Sequence, residues 1–447
     1  MFFKRPQQLS CPNDNTCTRI IRFGRHGGSL LSTYILRIDI IRYNLGYYIR
    51  ISDAIVRILV IVGRFMLQIN KVGGFTLLAV ACLTIMVGCV IVPGLTSISY
   101  ALNVKGAESW LITLPSLGVV LLGPLAGKFI ERARLYRALC LGLFLYGLLG
   151  AAGAFLSGYI TVFTDRFLLG GATALIMTSG TGLISVFYSG PERMKMIARQ
   201  GMSIELGGVI FLFIGGLLAA AGWRWPFSLY LFAWLMLLMV LIFVPRPDNR
   251  SEPEQIKTDV SHGTTSPAVL MTWVAALMSM IVFFTAIVVL TLHLHEMGYT
   301  ESQTGYFLSF VSLVAVCGAW LMPKLVSRYS DFSTLSIAFG LYALAHLIFA
   351  FASSMPFLIP GGIALGMGFG FSVPLVNHLI VELSSNAERG RNLARLSMAI
   401  FLGQFLSAFM AYLPGTTSTV FLFTAVIGAL FSLFIKIRAP ARVAPYT

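Results

Sequence analysis

The chain has 447 residues, of which 57% are hydrophobic and only 11% are charged, and its mean hydropathy is +0.84. A soluble globular domain has about a quarter of its residues charged, so this composition excludes most soluble enzymes, nucleic-acid-binding modules and disordered scaffolds. The net charge is +15. The positions of the basic residues along the chain indicate a membrane protein and not nucleic-acid binding.

The first 73 residues are the most basic part of the chain, with 11 Lys and Arg against 3 Asp and Glu. Arginines from Arg37 to Arg64 interrupt their apolar runs, and no run reaches the ~20 residues that span a bilayer. Three interpretations are open: a basic arm on an anionic membrane surface, an amphipathic segment, or a wrongly assigned start with Met66 as the first residue. We favour the third, because Met66 comes just before the first good span.

From residue 74 onward, the sequence divides into apolar blocks, each of about 20 residues. Continuous apolar runs of this length predict helices, because a helix satisfies its own backbone hydrogen bonds within lipid. The predicted spans are 74–97, 109–129, 138–157, 164–188, 199–221, 226–244, 268–292, 303–322, 333–353, 357–382, 394–413 and 418–436. The fold class is therefore an all-α membrane protein with twelve transmembrane helices.

Lysine and arginine are distributed unequally between the two ends of these spans. One set of connections, with the C-terminal tail and the flanking residues, holds 18 of them, whereas the opposite set holds only Lys105 and Arg224. Positive residues stay in the cytoplasm, so we expect both termini to be cytoplasmic. The predicted organisation is a basic extension over 1–73, a six-helix bundle over 74–244, a polar cytoplasmic linker over 245–267, a second six-helix bundle over 268–436, and a cytoplasmic tail over 437–447.

The two halves of the chain repeat each other with an offset of 196 residues. Residues 189–207 and 385–403 share nine identities in nineteen positions, on the basic connection before spans five and eleven. A parallel repeat of this kind predicts two pseudo-symmetric bundles about an axis along the membrane normal, which is one of the plans of secondary transporters. Rocking one bundle against the other would give alternating access to a central seam.

The connection after span two resembles a signature of the major facilitator superfamily, G-x-x-x-D-R-x-G-R-R. It reads Gly127-Lys-Phe-Ile-Glu131-Arg132-Ala-Arg134. Glu131 stands at the Asp position of the signature and Arg132 matches, while Arg134 replaces the second Gly. The resemblance implies the two-bundle fold of that family and secondary active transport.

Further stretches carry the same resemblance. Asp165-Arg166-Phe-Leu-Leu-Gly170 is similar to the R-x-x-x-G pattern at the start of the family's fourth helix. The turn 222–227 is frequent in bacterial members, and the stretch 110–115 with the compact twelve-span body resembles bacterial efflux-type members. This resemblance implies that the chain lies in a bacterial inner membrane. Span five lacks the Gly-Pro pair expected of drug/proton antiporters.

Ionisable side chains inside a span are costly and are therefore candidate functional sites. Arg166 either faces the central cavity and binds an anionic group, or extends to the interface beside Asp165. Glu205 stands out because Phe401 occupies the equivalent position in the second half. A desolvated carboxyl group there could take up and release protons, and the alternatives are a structural hydrogen bond or a wet position.

Polar residues of spans ten and eleven are weaker candidates. His378 could relay protons or pack as a satisfied histidine, and Asn377 lies beside it. Gln404 could hydrogen-bond a substrate or span two. These three side chains complete the predicted group for substrate binding or proton coupling, together with Asp165, Arg166 and Glu205.

Acidic and basic residues form neighbouring pairs at the predicted cytoplasmic ends. We expect them to act as latches that hold these ends together in one state and separate in the other, or else to be positive anchors that happen to have partners. Exposed pairs of this kind contribute about 0–1 kcal/mol each, which suits a carrier whose states have similar free energies. The latch candidates are Gly127, Glu131, Arg132, Glu192, Arg193, Glu388 and Arg389.

The sequence contains no P-loop and no metal-binding or hydrolase motif, so we expect no enzymatic activity, no cofactor and no metal. The expected partners are a small-molecule substrate, protons and the lipid bilayer, with a monomeric protein and no nucleic acid. We predict proton-coupled export (efflux by antiport) of a small organic molecule by alternating access. The alternatives are a proton-coupled importer of an organic anion bound by Arg166, and a transport-inactive sensor on the same scaffold.

Overall fold

The computed structural model describes residues 69–247, 266–385 and 388–438, which belong to one compact unit. This part of the chain forms helices and no strand, and twelve of the helices are long and apolar enough to cross a membrane. They are α1 (Lys71–Cys89), α2 (Glu108–Ala133), α3 (Leu135–Ala152), α4 (Tyr159–Phe187), α5 (Gly190–Ala221), α6 (Trp225–Phe243), α7 (Pro267–Glu296), α8 (Glu301–Tyr329), α9 (Asp331–Phe351), α10 (Met355–Glu382), α11 (Arg389–Tyr412) and α12 (Thr417–Arg438). The interpretations offered for the N-terminal extension concern residues that lie outside the described ranges, except for its last few.

All twelve predicted spans are confirmed as helices, but several ends differ from the prediction. The first span was extended to residue 97, whereas α1 ends at Cys89 and a separate short helix, Leu95–Ala101, follows. Pro93 lies in the break between them, and proline cannot donate the backbone hydrogen bond that a continuing helix needs.

One end of the molecule carries most of the basic side chains and is called the basic end here. At this end, residues that were predicted to connect the spans are part of the helices. α2 continues to Ala133 and α5 begins at Gly190, so the charged residues of both regions are helical. Charged side chains are good helix formers once they lie beyond the apolar layer. The proline of these stretches, Pro191, lies in the first turn of α5, where a helix tolerates it. Hydrophobicity therefore marked the lipid-crossing portion of each helix and not its full length.

Two single-residue joints connect helices at the basic end. Arg134 joins α2 to α3 with φ 72° and ψ 157°, and Ser330 joins α8 to α9 with φ 86° and ψ 162°. The two positions are 196 residues apart, which is the offset of the sequence repeat. Because this backbone region is essentially restricted to glycine, each joint costs about 1–3 kcal/mol that the surrounding packing must offset.

The helices pack as two pseudo-symmetric bundles of six. Each contact in the first bundle has its equivalent in the second: α1–α5 with α7–α11, α2–α4 with α8–α10, α3–α4 with α9–α10, and α3–α6 with α9–α12. The hydroxyl of Tyr146 donates to the carbonyl oxygen of Leu83 at 2.7 Å, and Tyr342, at the equivalent position, bonds to Ser279 at 3.0 Å. The repeat seen in the sequence is thus a repeat of three-dimensional contacts.

Close packing within the first bundle depends on glycines that lack a Cβ atom. A Cβ on Gly118 would overlap the carbonyl oxygen of Phe167, and one on Gly170 would overlap that of Pro115. Lipid gives little hydrophobic drive for helix association, so backbones that approach this closely supply dispersion contacts instead. These glycines fix α2 against α4.

We predict that Gly170→Ala lowers the stability of the first bundle, because its methyl group must push α2 away from α4. Overpacking of this kind costs about 1–3 kcal/mol, and it is measured as a lower midpoint of thermal unfolding in detergent. Gly180→Ala is the matched control on the same helix, because a Cβ at that position meets nothing within 4 Å. Equal midpoints for the two variants would contradict the packing argument.

Candidate functional site

The two bundles meet along α5 and α8, at the end opposite the basic end. A Cβ built on Gly216 would lie 2.8 Å from the Cα of Gly305, so the two helices touch through their backbones. Further toward the middle of the helices, the hydroxyl of Ser309 donates to the carbonyl oxygen of Val209 at 3.1 Å. These contacts leave no room for water or solute between α5 and α8 at that depth.

The pseudo-symmetric pair, α2 and α11, closes the other side of the same end with aromatic rings. Trp110 at the start of α2 lies against Phe405, Phe409 and Tyr412 of α11, with ring centroids 5.5, 5.3 and 6.4 Å apart. Tilted and edge-on rings at these distances attract each other beyond their simple burial. The closed end is therefore held by glycine packing on one side and by aromatic packing on the other.

Toward the basic end, the described parts of the two bundles separate. α4 shares no extensive packing with α10 or α11, and α5 shares none with α10. Met202 of α5 and Leu125 of α2, both in the basic halves of their helices, are exposed. The molecule is consequently closed at one end of its central seam and parted at the other.

Glu205 lies on α5 on the basic-end side of the contacts with α8 described above. It is one turn from Gly208, whose built Cβ is 4.0 Å from the hydroxyl of Ser312. Glu205 is half-buried, and none of the described residues forms a hydrogen bond or an ion pair with its carboxyl group. It nevertheless lies close enough to Cys89 of the first bundle and Tyr342 of the second to interact with both electrostatically.

A buried group of three hydroxyls lies on the second-bundle side of Glu205. Ser279 bonds to Tyr342 at 3.0 Å and to Ser372 at 2.9 Å, while Tyr342 and Ser372 are 2.8 Å apart. Each hydroxyl can donate to the next, so the triangle is satisfied internally. Sequence reasoning missed these residues; the repeat could have indicated Tyr342, because it lies 196 positions after Tyr146.

Arg166 and Asp165 lie inside the first bundle. The guanidinium of Arg166 is 2.9 Å from the Asp165 carboxylate and 3.4 Å from the hydroxyl of Tyr230, and it lies over the ring of Phe227. Both charged side chains are buried, with exposures of 1% and 6%. Arg166 is directed toward α3 and α6, where Gly153 makes room for it, and its donors are occupied by partners of its own bundle.

The weaker candidates lie in different surroundings. Gln404 is buried at the seam, with its amide nitrogen 3.2 Å from the point that a Cβ on Gly88 of α1 would occupy, so it contacts the opposite bundle. His378 is exposed and lies 3.1 Å from Glu382 on its own helix. Asn377 is exposed and donates to the carbonyl oxygen of Val373.

The acidic latch candidates of the repeat form ion pairs within their own helices. Glu192 binds Lys195 at 2.9 Å and Glu388 binds Arg391 at 2.7 Å, so the partner is three residues away and not the neighbouring arginine. The two pairs are related by the repeat offset. Glu131, Arg132 and Arg193 are exposed at the same end, Arg389 is half-buried, and the glycine Gly127 has open space around a built Cβ.

The arrangement suits movement of a solute better than bond chemistry. Among the described residues, no group of three His, Cys, Asp or Glu side chains could hold a metal ion. The seam offers one carboxyl group without a hydrogen-bond partner, hydroxyls and apolar side chains between two bundles that touch at one end. A membrane protein built in this way belongs to the class of transporters.

Comparison with known proteins gives the family. The model of the Major Facilitator Superfamily matches residues 75–408, and the chain belongs to this family. It is a multi-pass membrane transporter of that type, and members of this family are in general not enzymes.

Relatives and solved structures agree with this assignment. The chain is similar to the uncharacterised transporter YycB of Bacillus subtilis, with 27% identity over 337 residues that cover 72% of this chain and 81% of YycB. Its fold is similar to that of the nucleoside transporter NupG, with a TM-score of 0.70, 13% identity and coverage of 82% of this chain and 100% of that one. The inward-open xylose transporter XylE from E. coli gives a TM-score of 0.61, 18% identity and coverage of 83% and 97%.

We predict that Gly216→Val opens the closed end, because the valine side chain must displace α8 at Gly305. Spin labels at the exposed positions Ala221 and Gln303 would then show a population at longer distance than in the unmodified protein. Gly201→Val on the same helix is the control, since a Cβ there meets nothing within 4 Å. An unchanged distance distribution in Gly216→Val would contradict the role of this contact.

We also predict that Arg166→Gln destabilises the protein, because it leaves the Asp165 carboxylate buried without its ion-pair partner. Breaking a buried pair costs about 3–5 kcal/mol, measured as a lower midpoint of thermal unfolding in detergent. The double variant Asp165→Asn with Arg166→Gln removes both charges and should recover most of this loss.

Lys195→Gln is the control for that experiment, because it breaks an exposed pair worth about 0–1 kcal/mol. If Arg166→Gln kept full stability and lost only transport of an anion, then Arg166 would be a binding residue and not a structural one.

Proposed function

We propose that this transporter carries a small organic molecule by alternating access, coupled to protons, in the direction of export. The observation that carries the proposal is the position of Glu205 at the depth where the two bundles separate. A carboxyl group there is exposed to solvent from the parted end and becomes enclosed when the bundles approach each other. It can therefore bind a proton from one side and release it to the other.

In this proposal, the described arrangement is one of the two states that alternating access requires. Contacts through Gly216, Gly305 and Trp110 close the end opposite the basic end. If the basic end is cytoplasmic, as the distribution of Lys and Arg favours, this state is open toward the cytoplasm. The other state needs the closed end to separate and the basic ends to come together.

The charged residues of the basic end would then act as latches. Glu192 and Glu388 are bound to partners on their own helices in the present state. When the bundles close at this end, the same carboxylates could exchange these partners for arginines of the opposite bundle. Exposed pairs contribute about 0–1 kcal/mol each, so such an exchange would leave the two states close in free energy.

Proton coupling follows from the cost of burying a charge. An ionised carboxylate in an enclosed seam pays a large desolvation penalty unless it is paired, whereas a protonated one does not. Protonation of Glu205 would thus favour the enclosed states of the seam, and deprotonation would favour a state open to water. Gln404 of the opposite bundle is a further candidate for contact with substrate.

The alternatives predicted from the sequence are less well supported. An importer that binds an organic anion through Arg166 would need its guanidinium to face the seam, whereas Asp165 and Tyr230 occupy it inside the first bundle. A transport-inactive sensor would be supported if the purified protein bound a ligand but moved none. The resemblance of the stretch 110–115 to efflux-type members favours export over import.

The direct test uses everted membrane vesicles that contain the protein. A panel of small organic amines, organic acids and neutral dyes is offered while the internal pH is followed. Accumulation of a compound with movement of protons in the opposite direction supports proton-coupled export. Movement of protons with the compound in the same direction would favour the importer, and no movement of any compound would favour the sensor.

For a compound that the unmodified protein moves, we predict that Glu205→Gln abolishes accumulation driven by a proton gradient but retains exchange of labelled for unlabelled compound. The amide keeps the size of the side chain and removes the proton that must be carried. Glu296→Gln, which removes an exposed carboxyl group at the end of α7 away from the basic end, is the control, and it should retain gradient-driven accumulation. Full gradient-driven activity in Glu205→Gln would refute the coupling role.

A further inference from the structure

A cavity with three arginines lies on the outer side of the first bundle at its basic end. It has a volume of about 580 Å³ and is lined by Arg134, Arg137 and Arg246, together with Tyr136, Cys140 and Leu241. The cavity is formed where α3 begins and α6 ends. None of the described residues that line it is acidic, so its described lining carries three positive charges and no negative one.

Two of the three arginines, Arg134 and Arg137, are not required by the fold, as the equivalent positions in the second half of the molecule demonstrate. Ser330 forms the same single-residue joint as Arg134, and Ser333 stands at the position equivalent to Arg137, where the two serines bond to each other at 3.0 Å. The joint has a backbone conformation that favours glycine, yet the first half places an arginine there. Arg134 and Arg137 are therefore particular to the first half, whereas Arg246 has an arginine, Arg442, at the repeat offset.

Apolar surface continues from this cavity along α3 and α6 toward the middle of the bundle. Leu141 and Phe144 of α3 and Leu238 and Leu241 of α6 are exposed, each by 37% or more. In a membrane-spanning protein, such a face lies against lipid chains. The arginines are thus at the level at which lipid headgroups meet the hydrocarbon layer.

The aromatic residue of the cavity holds one of the arginines. The guanidinium of Arg246 lies 5.6 Å from the centre of the Tyr136 ring, and the buried Tyr136 donates its hydroxyl to the carbonyl oxygen of Val240 at 3.4 Å. An attractive contact between a cation and a ring limits the positions that this arginine samples. Residues at the start of α3 and just beyond the end of α6 thereby place guanidinium groups around one cavity.

We propose that this cavity binds the headgroup of an anionic phospholipid, whose acyl chains lie along the exposed apolar face of α3 and α6. Arginine donates paired hydrogen bonds to phosphate oxygens, and several arginines around one site favour a doubly or singly charged phosphate over a zwitterionic headgroup. The basic end is expected to face the cytoplasm, where the anionic leaflet supplies such lipids. The inference does not depend on which substrate is transported.

The test uses the full chain purified in detergent and depleted of lipid. Phosphatidylglycerol, phosphatidylcholine with the same acyl chains, and inorganic phosphate are added separately, and bound molecules are counted by native mass spectrometry. The thermal unfolding midpoint is recorded in parallel. We expect phosphatidylglycerol to bind more tightly than phosphatidylcholine and to raise the midpoint.

Two double variants decide whether the cavity is responsible. Arg137→Gln with Arg246→Gln should weaken phosphatidylglycerol binding by about tenfold or more. Arg328→Gln with Arg395→Gln is the control, because it removes the same charge from exposed positions at the same end. Arg137→Lys with Arg246→Lys retains the charge and should restore part of the binding, which separates a lost site from a misfolded protein.

Three results would overturn the proposal. Equal binding of phosphatidylcholine would remove the need for an anionic headgroup. An equal loss in the two glutamine variants would indicate attraction to net charge and not a site. Binding of inorganic phosphate as strong as that of phosphatidylglycerol would identify a site for free phosphate, with no role for the apolar face.

Discussion

Contact between helix backbones, made possible by glycine, is the interaction on which this structure depends. Helices in lipid gain little from burying leucine against leucine, because the lipid chains are as apolar as the side chains. Close approach at Gly118 and Gly170 holds helices together within a bundle, and the pair Gly216 and Gly305 uses the same device between bundles. Within a bundle, close contacts at glycine recur in several pairs of helices. Between the bundles, the glycine contacts of the described residues lie away from the basic end. Each bundle is therefore packed throughout by such contacts, whereas the contacts between the two bundles are concentrated away from the basic end.

The polar side chains fall into two groups according to whether they have partners. Arg166 and Asp165 form an ion pair with each other inside the first bundle. At this depth, the desolvation of an unpaired charge would cost several kcal/mol even after its surroundings relax. Glu205 lies at the seam without a hydrogen-bond partner among the described residues. A satisfied pair stabilises one arrangement, while a carboxyl group without a partner responds to changes in its surroundings. The seam is where such a response is useful.

The internal repeat helps to separate folding from function in this chain. Tyr146 and Tyr342, and the two single-residue joints, occupy equivalent places and perform equivalent packing roles. Positions at which the halves differ carry the features that the fold does not need. Glu205 in the first half is equivalent in position to Phe401 in the second half, and Arg134 is equivalent to Ser330. One difference lies at the seam and the other on the lipid-facing side, which is why they lead to separate proposals.

The sequence by itself determined the number of membrane-crossing helices, their approximate positions and the duplication, because hydrophobic length and internal similarity are properties of the chain alone. It did not determine where the helices end at the basic end, since α5 continues through the charged residues before its apolar part. Nor did it determine which way Arg166 and Glu205 face. Each residue turns the side chain by about 100° around a helix, so adjacent residues can face a bundle interior or a seam depending on how the helix is rotated against its neighbours. That rotation is set by contacts between distant segments, such as Gly153 beside Arg166 and Ser312 beside Gly208, and only the tertiary structure brings these segments together.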